Sequence, residues 1–284
     1  MRLPKTLILV VLTLFLFLLP IAVRATLMAL QDQAHGWQDA DLSSIGILPP
    51  ATSHPDARLL IMSAQVSGLR GSFATHSWVV LKRESARSWN RYDVVGWSNR
   101  GDANGGAPDG RWFGNSPVLN RWTPDGRWFG NHPTLLVDVS GAEASALILK
   151  IEAAIEAYEA NAGRYRFWPG PNSNTFVAMV LRAVPELDAT LPPTAIGKDF
   201  RPSPFLGLTD SRTGIEASLW GVLGVKIGWV EGLELNLFSL VAGLDLRRPG
   251  VKLPGFGRVG FGQDAPLPRP RATITRARLP NPPG

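Results

Sequence analysis

The chain has 284 residues and no cysteine, which excludes disulfides, thiolate nucleophiles, Cys-ligated zinc and iron–sulfur clusters. Its length fits one domain of roughly 200 residues with appendages, and 45% apolar residues with ten tryptophans can supply a core. The net charge of +6 is concentrated at the carboxyl end, where Arg269, Arg271, Arg276 and Arg278 stand without an acid in the last twenty residues. No basic cluster with a binding motif accompanies them, so nucleic acid is not expected as a partner.

Arg2 and Lys5 precede residues 6–23, an eighteen-residue run without charge. At 1.5 Å per residue such a helix is about 27 Å long, close to the roughly 30 Å hydrocarbon layer of a bilayer. Signal peptides have apolar stretches of only about 7 to 15 residues before an A-x-A-like site, whereas this run is longer and ends in Val23-Arg24-Ala25. Residues 1–30 are therefore expected to form an uncleaved signal anchor, a single transmembrane helix. Two basic residues before it against Arg24 after it place the body across the membrane from the cytoplasm, which for a bacterium is the periplasmic or outer face of the cell membrane.

Residues 31–57 are polar and hold Pro49, Pro50 and Pro55, the composition of a linker. Strands are expected at 59–67, 72–82 and 91–97, the last rich in β-branched and aromatic residues. Residues 98–133 contain a duplication, in which Pro108-Asp109-Gly110-Arg111-Trp112-Phe113-Gly114-Asn115 recurs as Pro124-Asp125-Gly126-Arg127-Trp128-Phe129-Gly130-Asn131. Two copies do not make a solenoid, and Pro-Asp-Gly has turn chemistry, so this reads as a duplicated loop. The pairs Arg111-Trp112 and Arg127-Trp128 suit a sugar ring or an anion, although anchoring a long insertion is the commoner role of such aromatics.

A strand at 134–139 leads into a helix at 141–160, where Leu147, Ile148, Ile151, Ala154, Ile155 and Tyr158 share one face opposite Glu152, Glu156 and Glu159. Pro169, Gly170 and Pro171 forbid helix, and Asn172-Ser173-Asn174-Thr175 supplies caps, so a second helix starts there and runs to about 184. The apolar region 214–244 is split by Lys226, Glu231 and Glu234 into pieces too short to cross a bilayer. Alternation at 233–237 predicts short strands packed on one face, with core packing expected and association with a membrane surface as the alternative. Six prolines in the last nineteen residues mark 263–284 as a disordered Pro/Arg-rich tail, leaving 58–262 as the globular domain.

Ser173 stands in the first turn of a helix, where backbone N–H groups and the helix dipole favour an anion. His76 lies inside a strand, and Asp93 on the next strand is a candidate to orient its imidazole, although strand alternation does not decide which face Asp93 uses. A serine needs an adjacent base to react, so Ser173, His76 and Asp93 are the catalytic candidates. Capping by the Asn-Ser cluster and a hydrogen-bonded core histidine beside Trp78 are the competing structural roles. The candidate binding residues are Asn172, Asn174, Trp168, Arg111, Trp112, Arg127 and Trp128. The four histidines, His35, His54, His76 and His132, lack the short spacings of zinc sites, so no metal or other cofactor is expected.

The strings Thr75-His76-Ser77-Trp78-Val79-Val80, the duplicated Pro-Asp-Gly-Arg-Trp-Phe-Gly-Asn, Trp168-Pro169-Gly170-Pro171-Asn172-Ser173-Asn174-Thr175-Phe176 and Lys252-Leu253-Pro254-Gly255-Phe256-Gly257 resemble a bacterial family, domain of unknown function 3750. The likeness covers about residues 58 to 260 and brings no activity with it. More remotely, a histidine-bearing strand, further strands, a helix, and then Asn-x-x-x-Phe at a helix start are similar to circularly permuted NlpC-type papain-like proteins. That resemblance implies an α+β fold, an antiparallel sheet with packed helices, here preceded by one transmembrane helix. It also implies that His76 takes the place of the base and Ser173 that of a cysteine nucleophile. The exchange of cysteine for serine matters, because a thiol near pKa 8.5 loses its proton to imidazole and a hydroxyl does not without concerted base catalysis. The expectation is thus a membrane-anchored envelope protein whose domain is a non-catalytic binding or assembly module. The alternative is a serine-dependent hydrolase or acyltransferase acting on an amide or ester of peptidoglycan, peptide or lipid.

Overall fold

The computed structural model describes residues 4–30, 40–96, 118–120, 122–161 and 165–261. Helix α1 (Lys5–Ala29) is followed by β1 (Arg58–Gln65), β2 (Thr75–Lys82), β3 (Asn90–Asp93), β4 (Val118–Leu119) and β5 (Thr134–Ser140), then α2 (Gly141–Asn161) and α3 (Ser173–Ala183). Seven further strands follow among the described residues: β6 (Phe205–Leu208), β7 (Gly214–Leu219), β8 (Leu223–Gly228), β9 (Gly232–Leu237), β10 (Leu240–Asp245), β11 (Gly250–Leu253) and β12 (Gly257–Gly260). The fold is α+β with two antiparallel sheets, one ordered β4-β3-β2-β1-β5 and one a seven-stranded meander from β6 to β12.

The five-stranded sheet is covered on both faces. Leu59, Ile61, Val79 and Leu81 meet Ile148, Ile151, Phe176, Val177 and Val180 of α2 and α3. Leu60, Met62, Trp78 and Val80 meet Trp128 and Leu135 on the other side. Such double burial is why β1 reads as a nearly unbroken apolar run rather than an alternating one. Each fully buried side chain of this size contributes about 1.5–3 kcal/mol.

Part of the stretch expected to be a linker belongs to that second layer. Ile47 and Leu48 pack against it, and Asp125 of the repeat's second copy accepts hydrogen bonds from Ser44 Oγ (2.6 Å), Ile47 N (2.9 Å) and Leu48 N (3.3 Å). The Trp89 indole donates to Pro49 O at 3.0 Å. The prolines that suggested a linker thus fix an extended segment whose carbonyls and amides are used by the domain.

The seven-stranded sheet corrects an expectation. Strands form across 214–244 as the alternation predicted, but the apolar side faces outward and the charged side is buried. On β9, Leu233 and Leu235 are exposed while Glu234 and Asn236 are buried. In register, Leu208, Ile215, Ile227, Leu233, Leu244, Val251 and Val259 form one exposed row across all seven strands. The buried row behind it carries Glu216, Lys226, Glu234 and Lys252. Alternation says which residues share a face, not which face is covered.

The covering groups decide it here. Lys198, Asp199, Arg201 and Asp210 lie under the sheet and pair with it: Lys226 with Asp199 (2.7 Å), Lys198 and Lys252 with Glu234 (2.5 Å each), and Arg201 with Asp210 (2.9 Å) and Glu216 (2.5 Å). Arg182 of α3 reaches Asp210 at 2.9 Å and joins the two halves.

Among the described residues α1 is the one helix long and apolar enough to cross a membrane. Most of its described positions up to Leu19 are exposed, whereas Phe17 and Met28 are buried. Arg24 donates to Gln65 Oε1 at 2.5 Å. The helix packs against the turn at Leu69–Ser72 and against β10 and β11, so its carboxyl-terminal part is seated on the body.

Candidate active site

The start of α3 is built by Asn172. Its Oδ1 accepts from the backbone N–H groups of Asn174 (2.9 Å) and Thr175 (3.1 Å), and its own N–H donates to Thr175 Oγ1 (3.1 Å), a capping box. Asn172 Nδ2 donates to Phe167 O and Ile196 O, both at 2.9 Å. The approach of the 196–197 backbone requires Gly197, whose φ is +90° and whose Cβ, if present, would lie 2.3 Å from Asn172 Nδ2. Asn174 Nδ2 donates to Ile196 O and to Thr75 O, again at 2.9 Å. This last bond fastens the helix start to the residue before His76.

With Asn174 and Thr175 satisfied by the cap, the Ser173 backbone N–H has no acceptor among the described residues. Ser173 itself is buried. Ser173 and His76 line one cavity of about 340 Å³, together with Asn172, Asn174, Trp128 and Tyr165. Val94, Val95, Phe129, Phe167 and Ile196 make its wall mainly apolar, and the exposed Arg70 lies over the Phe167 ring, 4.9 Å from its centroid. Burial pushes the Tyr165 phenol up to about 12, so it stays a donor at neutral pH.

His76 is held from two directions. Its Nε2 lies 2.8 Å from Asp93 Oδ1, and Trp128 stacks on the ring at 3.9 Å between centroids and 16° between planes. Asp93 is gripped by Arg91, whose Nε reaches Oδ2 at 2.7 Å and whose Nη2 reaches Oδ1 at 3.0 Å. Burial alone would raise the Asp93 carboxyl, but the Arg91 charge and the His76 hydrogen bond hold it below the usual carboxylate range. An ionised Asp93 can only accept, so the proton of a neutral His76 sits on Nε2 and the lone pair on Nδ1. Burial, the largest influence, keeps the imidazole below its usual value against the opposing pull of Asp93. Neutral His76 is therefore the prevailing form at pH 7. No hydrogen bond joins it to Ser173 among the described residues.

The structure brings His76, Asp93, Ser173, Asn172, Asn174 and Trp128 together. It does not bring Arg127 or Trp168 to the cavity. Arg127 donates to Ser43 Oγ at 2.9 Å and pairs with Asp41 at 3.5 Å, and the half-exposed Trp168 donates to Phe238 O at 3.1 Å. Arg111 and Trp112, in the first copy of the repeat, lie outside the described residues. The second copy does structural work: Pro124 O accepts from Trp78 Nε1 at 3.0 Å, Asp125 holds residues 44–48, and Trp128 and Phe129 wall the cavity.

Sequence reasoning missed Arg91 and Gly197. Arg91 is fully buried with its guanidinium 4.0 Å from the Trp78 ring centroid. Its signal was present, since Arg91 and Asp93 stand two apart on a strand and so point to one face. Gly197 had no local signal, because the close approach it permits is to a residue 25 positions away in the chain.

A family model described as Protein of unknown function (DUF3750) matches residues 56–123 and 118–200. No curated protein and no solved structure gives a significant match. The two matched stretches overlap between the copies of the repeat, and they contain β1 to β5, both body helices and every residue that lines the cavity. With just over half of its length covered, the chain belongs to the DUF3750 family.

Proposed function

We propose that the protein is a membrane-anchored envelope enzyme that transfers or hydrolyses acyl groups, on a permuted papain-like domain in which serine stands at the nucleophile position. One observation carries this reading: the imidazole whose Nε2 is committed to Asp93 shares a cavity with Ser173, whose backbone N–H has no acceptor among the described residues. Ser173 Oγ attacks the carbonyl carbon of an ester or amide while its proton passes to His76 Nδ1. Asp93 stabilises the resulting imidazolium. The carbonyl oxygen becomes an oxyanion next to the Ser173 N–H at the positive end of α3.

Collapse of the tetrahedral intermediate expels the alcohol or amine, which takes the proton from His76 and leaves an acyl-serine for water or a second acceptor. The apolar wall favours a lipid or a peptide with an aliphatic group, and Arg70 suits a substrate with an anionic portion. Helix α1 holds the domain to the bacterial cell membrane, with the body on the periplasmic or outer face.

A second reading has its own observation. The absence of a His76–Ser173 hydrogen bond among the described residues, with Trp128 flat on the imidazole, favours a cavity that binds such a ligand without reacting. Labelling the detergent-extracted full chain with a fluorophosphonate separates the two. Incorporation that disappears in Ser173→Ala supports catalysis, and equal labelling of both proteins removes Ser173 as the nucleophile.

A further inference from the structure

Among the described residues, the outward face of the seven-stranded sheet has no counterpart in the body to cover it. Every side chain on the outer side of β6 to β12 is apolar, and the row through Ile227 and Leu233 is exposed along its whole length. Six strand spacings of about 4.8 Å by strands of four to six residues, at about 3.4 Å each, give a face of roughly 29 by 14 to 20 Å. At roughly 400–580 Å², it stands in the upper part of the about 300–600 Å² of the largest apolar patch on a typical soluble monomer, a patch that is often functional.

What meets this face is indicated by α1. The helix packs on β10 and β11, and the one buried outward side chain of the sheet, Ala242, lies on β10. The helix therefore borders the apolar face, and its exposed amino-terminal part extends beyond the body. A bilayer that surrounds that part reaches the sheet where the helix leaves it. Trp220 and Phe238 at one end of the strands and Trp229 at the other are half-exposed at the rim, the place where amphipathic rings meet headgroups. Strands of about 20 Å are too short to cross the roughly 30 Å hydrocarbon layer, and open sheet edges are not tolerated inside it. The face must lie along the surface.

We propose that the seven-stranded sheet lies face down on the same membrane that α1 enters, its apolar row dipping into the boundary between headgroups and acyl chains. This rests on the reading of α1 as the membrane helix. Such docking resembles that of interfacial amphipathic helices, with binding set by the apolar area buried. The body would then be fixed relative to the bilayer, with the His76 cavity held beside a lipid surface instead of swinging on a tether.

The absence of native cysteine makes the test direct. Full-length Leu12→Cys, Ile227→Cys, Val251→Cys and Glu156→Cys are nitroxide-labelled and reconstituted in phosphatidylethanolamine/phosphatidylglycerol vesicles, and accessibility to oxygen is compared with that to a polar nickel complex. The expected result is an oxygen-to-nickel ratio several-fold higher at Leu12, Ile227 and Val251 than at Glu156, on the exposed face of α2. Lipid exposure at Leu12 with water exposure at Ile227 and Val251 overturns the sheet proposal alone and leaves the anchor intact. Water exposure at Leu12 overturns the anchor and the sheet proposal with it. Dipolar broadening between labels at Ile227 identifies a second copy as the occupant and overturns docking on lipid.

Discussion

On β1 the six residues between Arg58 and Gln65 are all buried, whereas on β9 burial alternates, with glutamate and asparagine inside and leucine outside. Both strands belong to antiparallel sheets of one chain, yet they obtain stability differently. The five-stranded sheet removes apolar area from water on both faces, at about 25 cal/mol per Å². The seven-stranded sheet buries ions instead, which pays only where each charge finds a close partner. Its apolar side is left to the surroundings. The contrast teaches that a hydrophobic pattern reports the environment a face meets, and that this environment need not be the protein's own core.

The sharpest way to break the comparison is a matched pair of substitutions. Ile61→Glu places an unpaired carboxylate in a fully buried position between the sheet and its helices, and should cost about 4–5 kcal/mol or more, a large part of a domain's total stability of about 5–15. Ile227→Glu, at a position 51% exposed, should change stability in detergent by no more than about 0.5 kcal/mol. Urea unfolding followed by circular dichroism checks both, and similar losses at the two sites would erase the distinction. Next in size is Lys226→Met. Removing this 3% exposed ammonium leaves Asp199, Asp210 and Glu216 with less compensation, and the expected loss is about 3–5 kcal/mol in the same assay. No loss would mean that the buried ions do not hold the sheet.

A smaller effect comes from pH. The folded value of His76 is below its ordinary 6.5, so the unfolded chain takes up this proton first as pH falls. Stability from His76 is therefore present above about 6.5 and declines as pH drops toward the lower folded value. The Asp93 carboxyl, also held low, keeps its contribution until more acid conditions. His76→Gln should flatten the first part of the acid limb in unfolding measured from pH 7 downward, and an unchanged profile would show that His76 is not buried neutral.

The sequence carried much of the site but little of the second sheet's orientation. Proline and glycine before 172 and a capping cluster after it placed the start of α3 at Ser173, because those residues act on the backbone locally. The expected strands for β1, β2 and β5 and the expected α2 helix coincide closely with those observed, because their burial is periodic or continuous in the ordinary sense. What was not legible depends on contacts between distant segments: the seating of residues 40–48 on Asp125, the Arg91 grip on Asp93, the glycine needed at 197, and the ions beneath β7 to β11. For Asp93, strand periodicity gave its neighbours on one face but not the 2.8 Å approach to His76.

The absence of cysteine began as an exclusion of thiol chemistry, and it now supplies the most direct test of the proposed site. In Ser173→Cys the new thiol is the only one in the chain, so its alkylation by iodoacetamide as a function of pH gives its pKa without interference. A site that supports acyl transfer, with His76 Nδ1 facing the nucleophile at a helix start, should lower that value well below the ordinary value of about 8.5, and Asp93→Asn introduced alongside should bring it back up. A value of about 8.5 or higher in both proteins would contradict the account, because it would mean that His76 and the α3 amino terminus do not act on the group at position 173.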